Sequence, residues 1–191
     1  MPPHLFNYAS KGTVFAFGNG DGKFLATQRQ SNGNLKVYLM INKTEDWSKG
    51  LKNSDSITLR QLALNEVKDW SSHYHDIINN FEEGTIVVRN LYTLPSGITW
   101  ESKGSDGICL IGDAAHLMFP SGDGVNIGLK DASYLAEKIM TCDTSAQAIK
   151  EYEEWMFKNA YFAMVKSEKI MEMTKSDHGI ETFKKITSIG E

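Results

Sequence analysis

Two cysteines in 191 residues, Cys109 and Cys142, are too few for a disulfide framework, and the chain has neither a basic stripe nor a membrane-length apolar run. Each scarcity excludes a class. The start, Met1-Pro-Pro-His-Leu-Phe-Asn-Tyr-Ala-Ser10, lacks the basic and apolar regions of a secretory signal, so a reducing cytoplasmic setting is expected and a disulfide is not. There the Asn42-Lys-Thr44 sequon stays unmodified. Lys and Arg number 20 against 24 Asp and Glu, a formal net charge of −4, which argues against a nucleic-acid partner. No membrane partner is expected either. Disorder is excluded from the other side, because 41% hydrophobic residues with so small a net charge suit a packed core.

What is present begins with antiparallel sheet. Residues 13–17 lead into Gly18-Asn-Gly-Asp-Gly22, a turn cluster; residues 24–30 read as a strand, Ser31-Asn32-Gly33-Asn34 as a hairpin turn, and residues 35–41 as the returning strand with Val37, Leu39 and Ile41 on one face. A helix is expected next, capped by the box Thr58-Leu-Arg-Gln61 and carrying Leu59, Leu62, Ala63, Val67 and Trp70. His73 and His75, two apart with no third ligand nearby, do not make a metal site. Ile86-Val-Val88 and Gly107-Ile-Cys-Leu-Ile-Gly112 read as short buried strands. A helix over 126–140 should bury Ile127, Ala132, Leu135, Ala136 and Ile139. A long helix should start at the box Thr144-Ser-Ala-Gln147 and run to about residue 174, followed by a polar, frayed tail. No internal repeat is present.

The segment 110–131 concentrates the chemistry. An apolar strand delivers Asp113 at its carboxyl end, a linker closes at Pro120, and Gly122 and Gly124 bring bare backbone to the start of a helix. Ligands of open α/β sheets bind outside the carboxyl ends of strands, and a helix N-terminus favours an anion. Asp113 can accept hydrogen bonds from sugar-like hydroxyls. A nicotinamide fingerprint fits poorly, since residues 113–121 separate the strand from the glycines.

The string Gly112-Asp-Ala-Ala-His116, Pro120, Gly122, Gly124, Asn126, Asp131-Ala132 and Leu135-Ala136 resembles the second flavin-contacting motif of the FAD-dependent aromatic hydroxylases, the group A flavoprotein monooxygenases. Leu25-Ala-Thr-Gln-Arg29, the turn at 31–34, Val37-Tyr38, Glu45-Asp-Trp47 and Tyr92-x-Leu-Pro95 resemble the same family's substrate-binding sheet, with the tetracycline-inactivating monooxygenases as the nearest likeness. The resemblance covers the later half of such an enzyme. It lacks the family's first Gly-x-Gly-x-x-Gly unit and middle Asp-Gly motif, so FAD held by this chain alone is expected to be held weakly.

The resemblance implies a fold of class α+β / α/β: an antiparallel substrate-binding sheet, the C-terminal part of a Rossmann-like FAD-binding domain, and a long C-terminal helix. It divides the chain at 1–96, 97–142 and 143–191. Asp113 would hold the ribityl or pyrophosphate end of FAD. Pro120, Gly122 and Gly124 would form the loop along the isoalloxazine, and the amides of Val125 and Asn126 would face its N1 and C2 carbonyl. NAD(P)H would reduce the flavin, and one oxygen atom would pass to an aromatic small molecule. Gln28, Met118 and Phe119 are the candidate substrate contacts, with Arg29 on the opposite, exposed face. His116 is read as a packing or backbone-bonding residue, and no catalytic residue is assigned. A complementing chain or homo-oligomer is the implied partner. A flavin-independent isomerase or cyclase, or a ligand-binding module, stays open as the alternative.

Overall fold

The computed structural model describes residues 12–18, 20–100 and 107–187. They fall into two compact units, one of residues up to Asn90 together with those from Met173 onward, the other running from Leu91 to Glu172. The fold is mixed α and β, with a three-stranded antiparallel sheet and a set of helices.

In the first unit, β1 (Thr13–Phe17), β2 (Phe24–Arg29) and β3 (Leu35–Met40) form a meander in the order β1-β2-β3, as the alternation predicts. Its register sets Phe17 against Phe24 and Phe24 against Met40. The hairpin between β2 and β3 closes through Gly33, at φ +83°, and a hydrogen bond donated by the Asn34 amide to Asn32 Oδ1 at 3.0 Å. Val37 and Leu39 are half-buried between exposed Lys36 and Tyr38, whereas Leu25, Ala26 and Thr27 of the central strand are buried on both faces.

A short helix α1 (Glu45–Lys49), not expected from the sequence, precedes α2 (Ser56–Glu66) and α3 (Ser72–Asn79). The cap of α2 is Asp55, not Thr58. The Asp55 carboxylate accepts from the Thr58 amide at 2.7 Å, and that bond holds its pKa below the ordinary 3.8. A fixed negative charge at the N-cap position outcompetes the hydroxyl, which itself donates to Asp55 at 3.2 Å. The expected helix also stops before Trp70, whose amide closes a turn on the Val67 carbonyl at 2.8 Å. His75 bonds that same carbonyl through Nε2 at 2.8 Å. The tail is a helix, α7 (Gly179–Thr187), rather than frayed chain. Its Phe183 ring lies 5.3 Å from Phe15 and 5.5 Å from Phe17, so an aromatic cluster holds it.

In the second unit, α4 (Asp113–His116), α5 (Gly124–Thr141) and the 29-residue α6 (Ser145–Met173) carry the structure. Thr144 caps α6 as expected, its hydroxyl accepting from the Gln147 amide at 3.2 Å. Ala115, Tyr152, Met156, Ala160 and Met164 form the core, with Leu94, Trp100, Cys109, Met118, Tyr134, Leu135, Trp155 and Phe157 packed against it. Burial raises the pKa of the Tyr152 phenol, which donates to the Leu110 carbonyl at 2.9 Å.

Two expected strands are absent among the described residues. Residues 85–91 and 107–112 carry no ladder, and Val87, Ile108, Leu110 and Ile111 are exposed. β-structure is made by a partner, and periodicity on one segment cannot supply one. The buried side of α5 also differs from expectation. Ala132, Ala136 and Ile139 face outward, and Asp131 is the fully buried residue, with Ile127, Gly128, Tyr134 and Leu135 half-buried beside it. A buried carboxylate has turned the helix about its axis, for the reason given next.

Candidate functional site

The site is built around Gly112. Its φ of +59° is one that glycine reaches without strain, and it turns the extended segment 107–112 abruptly into α4. The Gly112 carbonyl accepts from the amides of Ala115 at 2.9 Å and His116 at 3.0 Å. Its own amide donates to Asp131 Oδ2 at 2.8 Å, and His116 Nε2 meets the same oxygen at 2.6 Å. Both side chains are only 1% exposed. A carboxylate so deeply buried must be hydrogen-bonded, and this one is shared between backbone and imidazole. The bond to Asp131 raises the His116 pKa above its ordinary 6.5, against the lowering effect of burial. His116 is therefore a buried side-chain partner of Asp131, not a backbone-bonding residue.

Asp113, next to Gly112, is exposed. One of its carboxylate oxygens lies 4.0 Å from where a side chain on Gly124 would begin, so the turn and the start of α5 stand side by side. Gly128, one helical turn further, approaches Gly112 so closely that an added Cβ would meet the Gly112 Cα at 3.5 Å. The segment Leu117–Gly122 connects the two. Phe119 is buried and its carbonyl accepts from the buried Ser167 hydroxyl at 2.8 Å, while Met118 is half-buried against the core. Pro120 is exposed.

Gly122 has φ +89° and open space where a side chain would stand. Beside it the Ser121 hydroxyl is buried with no hydrogen-bond partner among the described residues. The N-cap residue of α5, Asp123, makes no side-chain capping bond, because its carboxylate pairs with Lys166 at 2.8 Å. The first bond within the helix runs from the Ile127 amide to the Asp123 carbonyl at 3.0 Å, so the amides of Gly124, Val125 and Asn126 precede the ladder. An uncapped helix start with an exposed carboxylate beside it, a bare glycine loop and an orphaned hydroxyl in that loop suit a ligand with both acceptor atoms and hydroxyls. FAD fits that donor set.

Gln28 belongs to the first unit. It is exposed at the end of β2 and accepts from the Gln30 amide group at 3.3 Å; Arg29 is exposed as well. No cluster of three or more His, Cys, Asp or Glu side chains suited to a metal occurs among the described residues. No described helix is long and apolar enough to cross a membrane. The sequence motif pointed to Asp113, Pro120 and the glycines. Asp131 stood in the motif string without a role, and its use as the shared acceptor rests on a contact that local sequence does not show.

Comparison with known proteins places the segment that carries this arrangement in the same context. Residues 98–155 match the family model described as an FAD binding domain. The monooxygenase asqM of Emericella nidulans is 28% identical over 171 residues, covering 72% of this chain and 38% of its own. Monooxygenase 2 of Arabidopsis thaliana is 28% identical over 100 residues, covering 52% and 23%. In fold, the chain is similar to a protein of Photorhabdus luminescens solved as a candidate FAD containing monooxygenase, with a TM-score of 0.69 at 20% identity, covering 91% of this chain and 51% of that one. The chain thus spans about half of that structure and less than half of those curated relatives. Together these findings show a segment similar to an FAD binding domain, sequence similarity to monooxygenases, and a fold shared with an FAD containing monooxygenase.

Proposed function

We propose that this chain supplies the ribityl- and isoalloxazine-facing side of the FAD site in a monooxygenase acting on an aromatic or polycyclic small molecule, with NAD(P)H as reductant. The observation that carries this reading is the exposed Asp113 carboxylate beside the uncapped start of α5, across a loop opened by Gly122. In this reading the first unit is the substrate-binding sheet, with Gln28 turned to substrate. Met118 keeps part of its surface for substrate, and Phe119 acts through the loop it anchors. The adenosine half of FAD would be held by a complementing polypeptide segment. That part is supported by the span of about half of the solved relative and by the exposed apolar run Ile108, Leu110 and Ile111.

Bound FAD supplies the electron transfer and oxygen activation. The protein's part is binding and electrostatics. The Asp113 carboxylate accepts hydrogen bonds from hydroxyl donors. The amides of Val125 and Asn126 donate to acceptor atoms of the ring edge, and the helix dipole favours negative charge there without reorganisation. Pro120 restricts the loop, Gly122 admits a flat ring to the backbone, and the Ser121 hydroxyl is available as a further donor.

The test is titration of the purified chain with FAD, followed by visible absorption and flavin fluorescence. The expected result is a perturbed flavin spectrum that D113A weakens. An unperturbed spectrum with a chain folded by circular dichroism overturns the reading.

A further inference from the structure

We infer that the buried His116–Asp131 pair is a positioning element for the cofactor site, fixing the Gly112–Asp113 turn so that the Asp113 carboxylate stands at the start of α5. The inference rests on the reading of Asp113 as the ribityl contact and assigns a role to two residues that touch no ligand.

The geometry is specific. One oxygen, Asp131 Oδ2, binds the residue immediately before Asp113 through its amide and the last residue of α4 through its imidazole. Asp113 is thus bracketed by two anchors that converge on a single atom of another helix. The Gly112 carbonyl is engaged as well, by the Ala115 and His116 amides, so both faces of that glycine's backbone polar groups are tied. Glycine at φ +59° has the widest conformational freedom of any residue, and only external bonds can hold it to one conformation. Asp131 is two turns into α5, the helix whose first amides form the other half of the site. A shift of α5 therefore carries Asp113 with it, and carboxylate and helix start keep their separation.

His116 orients the acceptor. Its Nδ1 has no partner among the described residues, so among them the ring's side-chain bond is the one to Asp131. Without the imidazole, Asp131 keeps one donor for a buried charge, and such a group draws in water or reorients. The turn above it then loses its definition. The effect on ligand passes through Asp113 alone, which separates this role from general stabilisation.

The experiment measures affinity for FMN, which carries the ribityl chain, and for lumiflavin, which has the ring system without it, in folded protein. H116A, D131A and D113A are each expected to weaken FMN binding about tenfold, roughly 1.4 kcal/mol, with lumiflavin unchanged. Combined with D113A, H116A should add less than about twofold, since both act through one contact. H116Q, which keeps an N–H near the position of Nε2, should restore FMN affinity. Additive losses, or equal weakening of lumiflavin, overturn the positioning role. If D113A binds FMN like the unaltered chain, or if that chain binds no flavin, the cofactor reading fails and this inference fails with it. D113A effective with H116A silent overturns this inference alone. Should the alanine variants not fold, D131N decides: faster exchange of the Gly112 amide with severalfold weaker FMN binding supports the role, and wild-type values for both overturn it.

Discussion

Gly128 of α5 lies against Gly112, the two backbones so close that a side-chain carbon on Gly128 would touch the Gly112 Cα at 3.5 Å. That distance is ordinary contact for one methyl group and too short for a branched side chain. G128A should fold with near-normal or slightly raised stability, since alanine in a helix interior gains up to about 1 kcal/mol over glycine. G128V should lose about 1–3 kcal/mol by overpacking and displace the Asp113 turn. Urea denaturation of both variants checks this, and an equal loss in the two would show that the contact does not limit size.

The protonation of His116 makes stability depend on pH. The Asp131 carboxylate bonds the ring, with the Asp113 charge acting from further off, and the folded pKa of His116 lies above the unfolded value near 6.5. The sign follows: the stabilisation is fully present below about pH 6.5 and is lost as pH rises through the folded value. Melting temperatures of the natural chain should fall across that window more steeply than those of H116Q. Parallel profiles would remove His116 from the linkage.

Asp55 carries the opposite sign. Its folded pKa is held below 3.8 by the Thr58 amide, so its contribution is present above the unfolded value and lost as pH falls through the folded one. D55A should lower the urea midpoint at neutral pH, and the difference from the natural chain should shrink in acid. D55N, which keeps an acceptor at the N-cap, should fall between them. A difference that persists at pH 2 would contradict the assignment.

Tyr152 ties α6 to the extended segment through the Leu110 carbonyl. Y152F keeps the ring and removes the bond, an expected cost of about 1 kcal/mol. Hydrogen exchange at residues 108–112 should quicken in Y152F while the core of α6 keeps its protection. Uniform quickening would indicate global destabilisation instead.

The meander was legible because everything that makes it is local: alternation along Val37 and Leu39, Gly33 at a positive φ, Asn32 closing the turn. The turn at Gly122 and the helix that starts at Gly124 were legible for a similar reason, as the spacing of Asp113, Gly122 and Gly124 is a contiguous pattern. Elements that depend on distant partners were not. Residues 107–112 have strand composition and no ladder. The segment after residue 178 has polar composition yet holds a helix because Phe183 meets two aromatic rings from the opposite end of the chain. On α5 the apolar periodicity placed Ile127 and Leu135 on the inward side but not Ala132, Ala136 and Ile139, since one buried Asp131 with two donors outweighs the alanines in fixing which side turns inward.

The ion pair of Asp123 with Lys166 bears on ionic strength. An exposed pair of this kind is screened by salt, and an aspartate released at the N-cap position is itself a good acceptor for the amides it precedes. Added salt is therefore expected to favour capping of α5 by Asp123 itself, in competition with any anionic ligand at those amides, and Lys166, far along the sequence on another helix, opposes that by pairing with the carboxylate.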